Sequence, residues 1–319
     1  MLPSHPMIEL RRLHRHFGRT RAVDGVSFEV ARGEVFGYIG PNGAGKTTSM
    51  RILATLDLPD AGDVRVDGFS VVDDPDRVRR RLGFMPDSFG TYRNVNCHEY
   101  LDFFARSYGL RGRERRRALR DTMAFTALDG MAEKPISGLS KGMKQRLCLG
   151  RAMIHDPAVL VLDEPAAGLD PRARIELREM IRALADDGKC ILISSHILTE
   201  LAAICDRVGI IEQGRLLAVG TVDEIRRGSG GDGNVQQNVV RVQLIGRADQ
   251  LGQWLSQRDD LCEIQVDGDS VSFAHDADRE SEADLLREII AADFRVIEFG
   301  SHAKTLEDVF MQVTEGRVQ

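Results

Sequence analysis

The stretch Gly40-Pro41-Asn42-Gly43-Ala44-Gly45-Lys46-Thr47 fits G-x-x-x-x-G-K-[ST], and it constrains the fold more than any other part of the chain. Such a loop needs a buried strand before it and a helix after it. Its glycines turn backbone N–H groups towards phosphate oxygens, and the helix N-terminus adds positive potential. Both flanks are present. Residues 34–39 form a short, mostly apolar run, and Met50, Ile52, Leu53 and Leu56 recur at helical spacing over 48–56. The pattern assigns Lys46 to the β- and γ-phosphates and the Thr47 hydroxyl to Mg²⁺. A nucleotide site on an α/β sheet follows, but not the chemistry performed there.

Composition narrows the classes. The chain has 319 residues, enough for one large domain or two smaller ones. A net charge of −6 gives no global basic field for nucleic acid. Arginines do cluster, in 77–81 and 111–120. They read as solvated helix faces with i,i+4 carboxylate partners such as Glu114, the alternative being a basic surface for anionic lipid or an acidic partner. The five cysteines are scattered without a C-x-x-C pair, which suits a reducing cytosol better than zinc or disulfides. Residues 1–6 carry no signal-peptide core, and no run approaches the roughly 18 apolar residues of a membrane-spanning helix. If the protein works at a membrane, another polypeptide is expected to cross it.

Along the chain, residues 8–10 and 26–30 alternate as antiparallel strands, with Asp24-Gly25 read as their turn. Phe17 is either core or an exposed ring that stacks on adenine. Residues 63–68 and 82–85 read as strands, and 97–128 as one helical stretch whose Tyr100, Leu101, Phe103, Phe104 and Tyr108 share an apolar face. Ser140 and Gly142 open a helix running to about Ile154. Val159-Leu160-Val161-Leu162 then marks a strand buried on both faces, with Asp163 and Glu164 at its C-terminal end. Two adjacent acids at a sheet edge are costly unless something positive binds there. Mg²⁺ on Asp163 and a water activated by Glu164 meet that need. Asp170-Pro171 starts another helix. His196 ends the strand 189–195; alone it reads as structural, but beside Asp163 and Glu164 it becomes a γ-phosphate contact. The strand 208–212 and the Gln213-Gly214 turn lead to the end of this domain near Arg227.

Five motifs in this order give the chain a resemblance to the ATP-binding subunits of ABC transporters: the P-loop, Leu139-Ser140-Lys141-Gly142-Met143, Leu160 to Pro165, Ala167 to Asp170, and His196. The resemblance covers roughly 7–227. It implies a P-loop NTPase domain of ABC type, with a parallel core sheet, an antiparallel β subdomain and a helical subdomain over about 88–155. By the same resemblance, Phe17 stacks on adenine, and Gly40 to Lys46 with Thr47 and Thr48 hold the phosphates. Thr47, Asp87 and Asp163 serve Mg²⁺, Glu164 and His196 are catalytic, and Asp170 is the D-loop aspartate. The signature Leu139 to Met143 would face the γ-phosphate held by the other protomer of a head-to-tail dimer. A separate integral-membrane permease is the implied partner, with the ATPase cytoplasmic and peripheral on the inner face of the cell membrane. Two departures stand out: Asp87 replaces the family's usual glutamine, and Lys141 and Met143 alter the commoner LSGGQ signature.

Beyond a flexible Gly/Ser-rich linker at 228–237, residues 238–319 read as a small α+β domain. Its βαββαβ order suggests a ferredoxin-like fold, with His275 and His302 expected to be solvated. Thr305-Leu306-Glu307-Asp308 resembles a capping box. The whole extension resembles that of ABC ATPases of export-type systems, and dimer contact is its first expected role. Export powered by ATP hydrolysis is the leading function. The alternative is a soluble ABC ATPase acting on DNA or ribosomes. Long heptad repeats and a second P-loop, expected of such proteins, do not occur here.

Overall fold

The computed structural model describes residues 5–88, 90, 94–197, 201–227, 238–258, 260–275 and 279–303. The chain divides into two compact units, Met1–Val222 and Asp223–Gln319. In the first, β1 (Ile8–Phe17) and β2 (Thr20–Val30) form a hairpin that turns at Gly18-Arg19. Asp24-Gly25 is therefore not the turn. It is a bulge inside β2, where the register slips between Leu13↔Val26 and His14↔Asp24. Next come β3 (Val35–Ile39), buried throughout, and α1 (Lys46–Leu53). β4 (Ala61–Val66) and β5 (Phe69–Ser70) extend the hairpin into an antiparallel sheet of order β2-β1-β4-β5. The short helix α2 (Pro75–Arg81) leads to β6 (Leu82–Met85).

The stretch 97–128 forms two helices rather than one, α3 (Cys97–Ser107) and α4 (Gly112–Phe125). Gly109 takes φ 84°, a left-handed conformation that ends α3 and that a side-chain-bearing residue adopts only at a cost. Cys97, Tyr100 and Leu101 pack with Leu119, Met123 and Leu147 in a core of their own. Phe103 is 60% exposed, so the apolar face expected there is only partly buried. The arginine clusters lie on α2 and α4, where Arg79 pairs with Asp76, Arg115 with Asp102 and Arg117 with Asp121. Such surface pairs contribute little stability, about 1 kcal/mol or less each.

α5 (Lys141–Met153) returns to β7 (Val159–Leu162); α6 (Pro171–Asp186) leads to β8 (Cys190–Ser195), followed by β9 (Arg207–Glu212) and β10 (Arg215–Thr221). The second sheet has the order β10-β9-β3-β8-β7-β6. β9, β3, β8, β7 and β6 run parallel, and β10 folds back antiparallel on β9. β10 escaped sequence reading because half its residues, including Leu217 and Val219, face outward. The two sheets share one core: Phe28 of β2 stacks on Phe36 of β3 with ring centroids 4.8 Å apart. Among the described residues no helix is long and apolar enough to cross a membrane.

α7 (Val222–Arg227) begins at the division between the units. The second unit comprises β11 (Asn238–Leu244), α8 (Ala248–Leu255), β12 (Leu261–Asp267), β13 (Ser270–His275), α9 (Arg279–Ala291) and β14 (Val296–Ala303). Its antiparallel order β12-β13-β11-β14 puts the first and third strands in the centre, the ferredoxin-like arrangement. Val240, Val242, Leu251, Phe273 and Ile289 form its core. His275, expected to be solvated, is only 4% exposed, because it follows Phe273 at strand spacing on the inward side of β13. The linker 228–237 and the capping box at 305–308 lie outside the described residues.

Leu192 sits in the middle of β8 and is fully buried, so Leu192→Ala should destabilise the chain by about 3 kcal/mol in chemical denaturation. Leu58 is 63% exposed, and Leu58→Ala should change stability by less than about 0.5 kcal/mol. Equal effects would contradict this placement of the core.

Candidate functional site

The loop between β3 and α1 closes around its own lysine. Gly45 caps α1 at φ 106°, and a Cβ there would collide with the Ala22 carbonyl oxygen of β2, so glycine is required. Lys46 is buried, and its Nζ donates to the carbonyls of Gly40 (2.6 Å) and Pro41 (3.2 Å). It also stands 3.6 Å from Glu164 Oε1. Burial pushes the Lys46 pKa down, while the Glu164 and Asp163 carboxylates pull it back up. Thr47 is exposed at the first turn of α1, and Thr48 is half-buried. The helix therefore presents free N-terminal N–H groups and a hydroxyl beside an ammonium, a setting for phosphate.

Sheet order brings the acids to this loop. β8 lies between β3 and β7, so the residues ending β7 and β8 converge on the P-loop side. Asp163 is 1% exposed, and burial raises its pKa. The Ser194 and Thr47 hydroxyls oppose that shift, whereas the charges of Asp87 and Glu164 add to it. Ser194 Oγ donates to Asp163 Oδ1 at 2.6 Å and accepts the Glu164 N–H at 2.9 Å. His196 Nδ1 lies 2.8 Å from Glu164 Oε2. Since a carboxylate only accepts, Nδ1 carries the proton of this bond.

Two oxygens remain. Asp163 Oδ2 and Glu164 Oε1 are buried without a hydrogen-bond partner. Buried acceptors of this kind need a donor or a cation, and a donor set made only of oxygen suits a hard ion such as Mg²⁺. Asp163, the adjacent Thr47 hydroxyl and the exposed Asp87 fit that role. A separate group, His14, His16 and Asp24, has ligand atoms within 4.8 Å of one another, but Asp24 already accepts two hydrogen bonds from Arg215.

The other residues singled out in the sequence lie around this centre. Phe17 ends β1, 50% exposed, with the Arg15 guanidinium 4.7 Å over its ring. Ser140 is exposed and caps α5, its hydroxyl oxygen accepting the Met143 N–H. That leaves the hydroxyl proton free to donate. The signature turn lies beside the start of α6: a Cβ on Gly142 would be 3.2 Å from the Ala173 Cβ, and one on Gly168 would strike the Lys141 ammonium. Asp170 caps α6 by accepting the Ala173 N–H at 2.9 Å. Leu139 is buried under the turn. Sequence reading passed over Ser194. The only signal was a pair of serines closing an otherwise apolar strand.

Comparison with known proteins agrees with this geometry. The family model described as ABC transporter matches residues 23–167, and that described as ATP-binding protein DrrA1-3-like, C-terminal domain, matches 220–314. Among relatives, the Daunorubicin resistance ATP-binding protein DrrA3 of Streptomyces coeruleorubidus is 34% identical over 303 residues, covering 94% of this chain and 93% of that protein. The Nod factor export ATP-binding protein I of Ralstonia nicotianae is 38% identical over 222 residues, covering 70% and 69%. A solved structure of the ATP binding subunit of an ABC transporter superposes with a TM-score of 0.64 at 33% identity, covering 69% of this chain and 92% of that one. A dimeric bacterial ABC transporter cassette gives a TM-score of 0.62 at 24% identity, covering 67% and 98%, which speaks for the fold alone. The chain belongs to the ATP-binding proteins of the ABC transporter family and is an ATPase.

Proposed function

We propose that this ATPase works as a head-to-tail dimer and drives export through a separate integral-membrane permease, from the cytoplasmic face of the membrane. The observation that carries the hydrolytic reading is the buried Asp163 Oδ2, without a hydrogen-bond partner, next to Glu164, whose Oε1 lies 3.6 Å from Lys46 Nζ. Thr47, Asp87 and Asp163 would hold Mg²⁺, which neutralises phosphate charge when bound. Lys46 would exchange its loop carbonyls for phosphate oxygens, which offer a full negative charge instead of a dipole. His196 engages Glu164 Oε2, and Oε1, now 3.6 Å from Lys46 Nζ, would be left to take a proton from the attacking water once Lys46 turns to the phosphates. The P-loop approaches the phosphates from one side only. Ser140, with a free hydroxyl proton, and the N-terminus of α5 would supply donors to the opposite side from a second copy.

The permease reading rests on a groove of about 280 Å³ lined by Leu56, Arg79, Phe84, Phe104, Tyr108 and Arg151. Leu56 and Phe103 nearby are more than half exposed. An apolar helix end carrying an acidic residue suits such a groove, its ring contacts meeting the aromatics and its charge the arginines. The relatives named for Nod factor export and for resistance to daunorubicin favour an exporter over a DNA- or ribosome-bound ATPase.

Co-purification from detergent-solubilised membranes should recover a polytopic membrane protein, and Leu56→Asp should reduce its recovery. Recovery of ribosomes or DNA alone would contradict the proposal. Asp87 adds negative charge near Asp163, so Asp87→Gln should raise the half-saturating Mg²⁺ concentration for ATP hydrolysis about fivefold. An unchanged magnesium dependence would remove Asp87 from the metal site.

A further inference from the structure

The geometry points to Ser194 as a positioning residue that aims both carboxylates of the site through one hydroxyl. This inference rests on the proposed metal role of Asp163. Ser194 is fully buried at the C-terminal end of β8, level with Asp163 because Leu162 pairs with Ile193. A serine hydroxyl has a single proton, and here Asp163 Oδ1 takes it at 2.6 Å. The same oxygen accepts the Glu164 N–H at 2.9 Å. Ser195, its neighbour, has a different duty: its oxygen accepts the Ile197 N–H in the turn that follows.

Two consequences follow for the chemistry. With Oδ1 engaged, Asp163 turns its other oxygen, Oδ2, to the site, and that oxygen is the buried one lacking a partner. One hydroxyl thus selects which oxygen is left for a cation. Glu164 takes φ 48°, a left-handed backbone conformation unfavourable for a residue with a side chain. The Ser194 acceptor holds the N–H of that residue, and this backbone turn sets the direction in which the Glu164 side chain leaves the strand towards His196 and Lys46. Partners of this kind, one bond removed from a ligand, fix ligand orientation and change metal affinity or activity by about 10–100-fold when lost.

The test measures metal binding apart from turnover. The full chain is titrated with Mn²⁺ in the presence of ATP and followed by EPR, while a fluorescent ATP analogue with EDTA reports nucleotide binding without metal. Ser194→Ala should weaken Mn²⁺ binding about tenfold and lower kcat by a similar factor, with metal-free nucleotide affinity within about twofold of wild type. Ser194→Thr, which keeps the hydroxyl, should restore Mn²⁺ affinity. If thermal melting shows that the extra methyl is not accommodated, Ser194→Cys, similar in size but a weaker donor, should fall between serine and alanine. Unchanged Mn²⁺ affinity in Ser194→Ala would overturn the inference. So would an equal loss of metal-free nucleotide binding, or equal impairment of every variant that folds, since each indicates packing alone. A wild-type chain that binds nucleotide but shows no ATP-dependent Mn²⁺ signal would sink the metal reading itself, a result distinct from a signal that survives alanine.

Discussion

The site depends on a carboxyl and an ammonium, Asp163 and Lys46, held together where water is scarce. Isolated burial drives a carboxyl towards its neutral form, and Asp163 is raised in that direction. The same burial displaces Lys46 the opposite way, and the two carboxylates oppose that displacement. Both acids favour the charge on Lys46, whereas Glu164 works against the charge on Asp163, which the Ser194 and Thr47 hydroxyls support instead. Each hydrogen bond around them comes from a neighbouring strand or loop: Ser194 from β8, His196 just beyond it, and the P-loop carbonyls that cradle Lys46. Removing one partner leaves another buried group unpaired, which is more costly than the bond itself is worth.

The architecture follows from that requirement. Parallel strands end together, and the order β3-β8-β7 sets the lysine loop, the histidine and the acids along one edge. The antiparallel layer closes against the same core through Phe28 and carries Phe17 on its outer end. β2 also supplies the carbonyl that leaves room at Gly45 only for glycine. The helical part has a separate core, and it holds the signature turn out on an exposed surface next to the start of α6. On the proposed reading, that exposure is what makes one copy chemically incomplete: the Ser140 hydroxyl proton and the N-terminus of α5 are available to a phosphate bound elsewhere.

Features written in neighbouring residues were legible in the sequence. The P-loop with its flanking strand and helix, the adjacent acids after a four-residue apolar strand, and the βαββαβ order of the second unit all rest on local spacing. Features that depend on which strand lies beside which were not. Asp24-Gly25 carries a strong turn signal, yet cross-strand pairing on both sides of it favours a bulge and moves the turn to Gly18. Gly109 divided a continuous helical pattern because its left-handed backbone outweighs the flanking apolar periodicity. His275 was misjudged by being read as a lone polar residue, although Val271 and Phe273 alternate with serines and place it on the inward side of β13. Ser194 shows the limit most clearly: its importance comes from lying level with Asp163 on an adjacent strand, thirty-one positions away in sequence.

On the proposed reading, the nucleotide site of one copy is completed by the signature turn of another. Glu164→Gln keeps the shape of the side chain but removes its capacity to take a proton, so ATP should be bound and not hydrolysed. Light scattering after size-exclusion chromatography measures the outcome directly. ATP should double the mass of the Glu164→Gln chain, and adding Gly142→Asp, which would place a carboxylate against the γ-phosphate, should abolish the doubling. ATP-independent mass, or a dimer indifferent to Gly142→Asp, would contradict that reading.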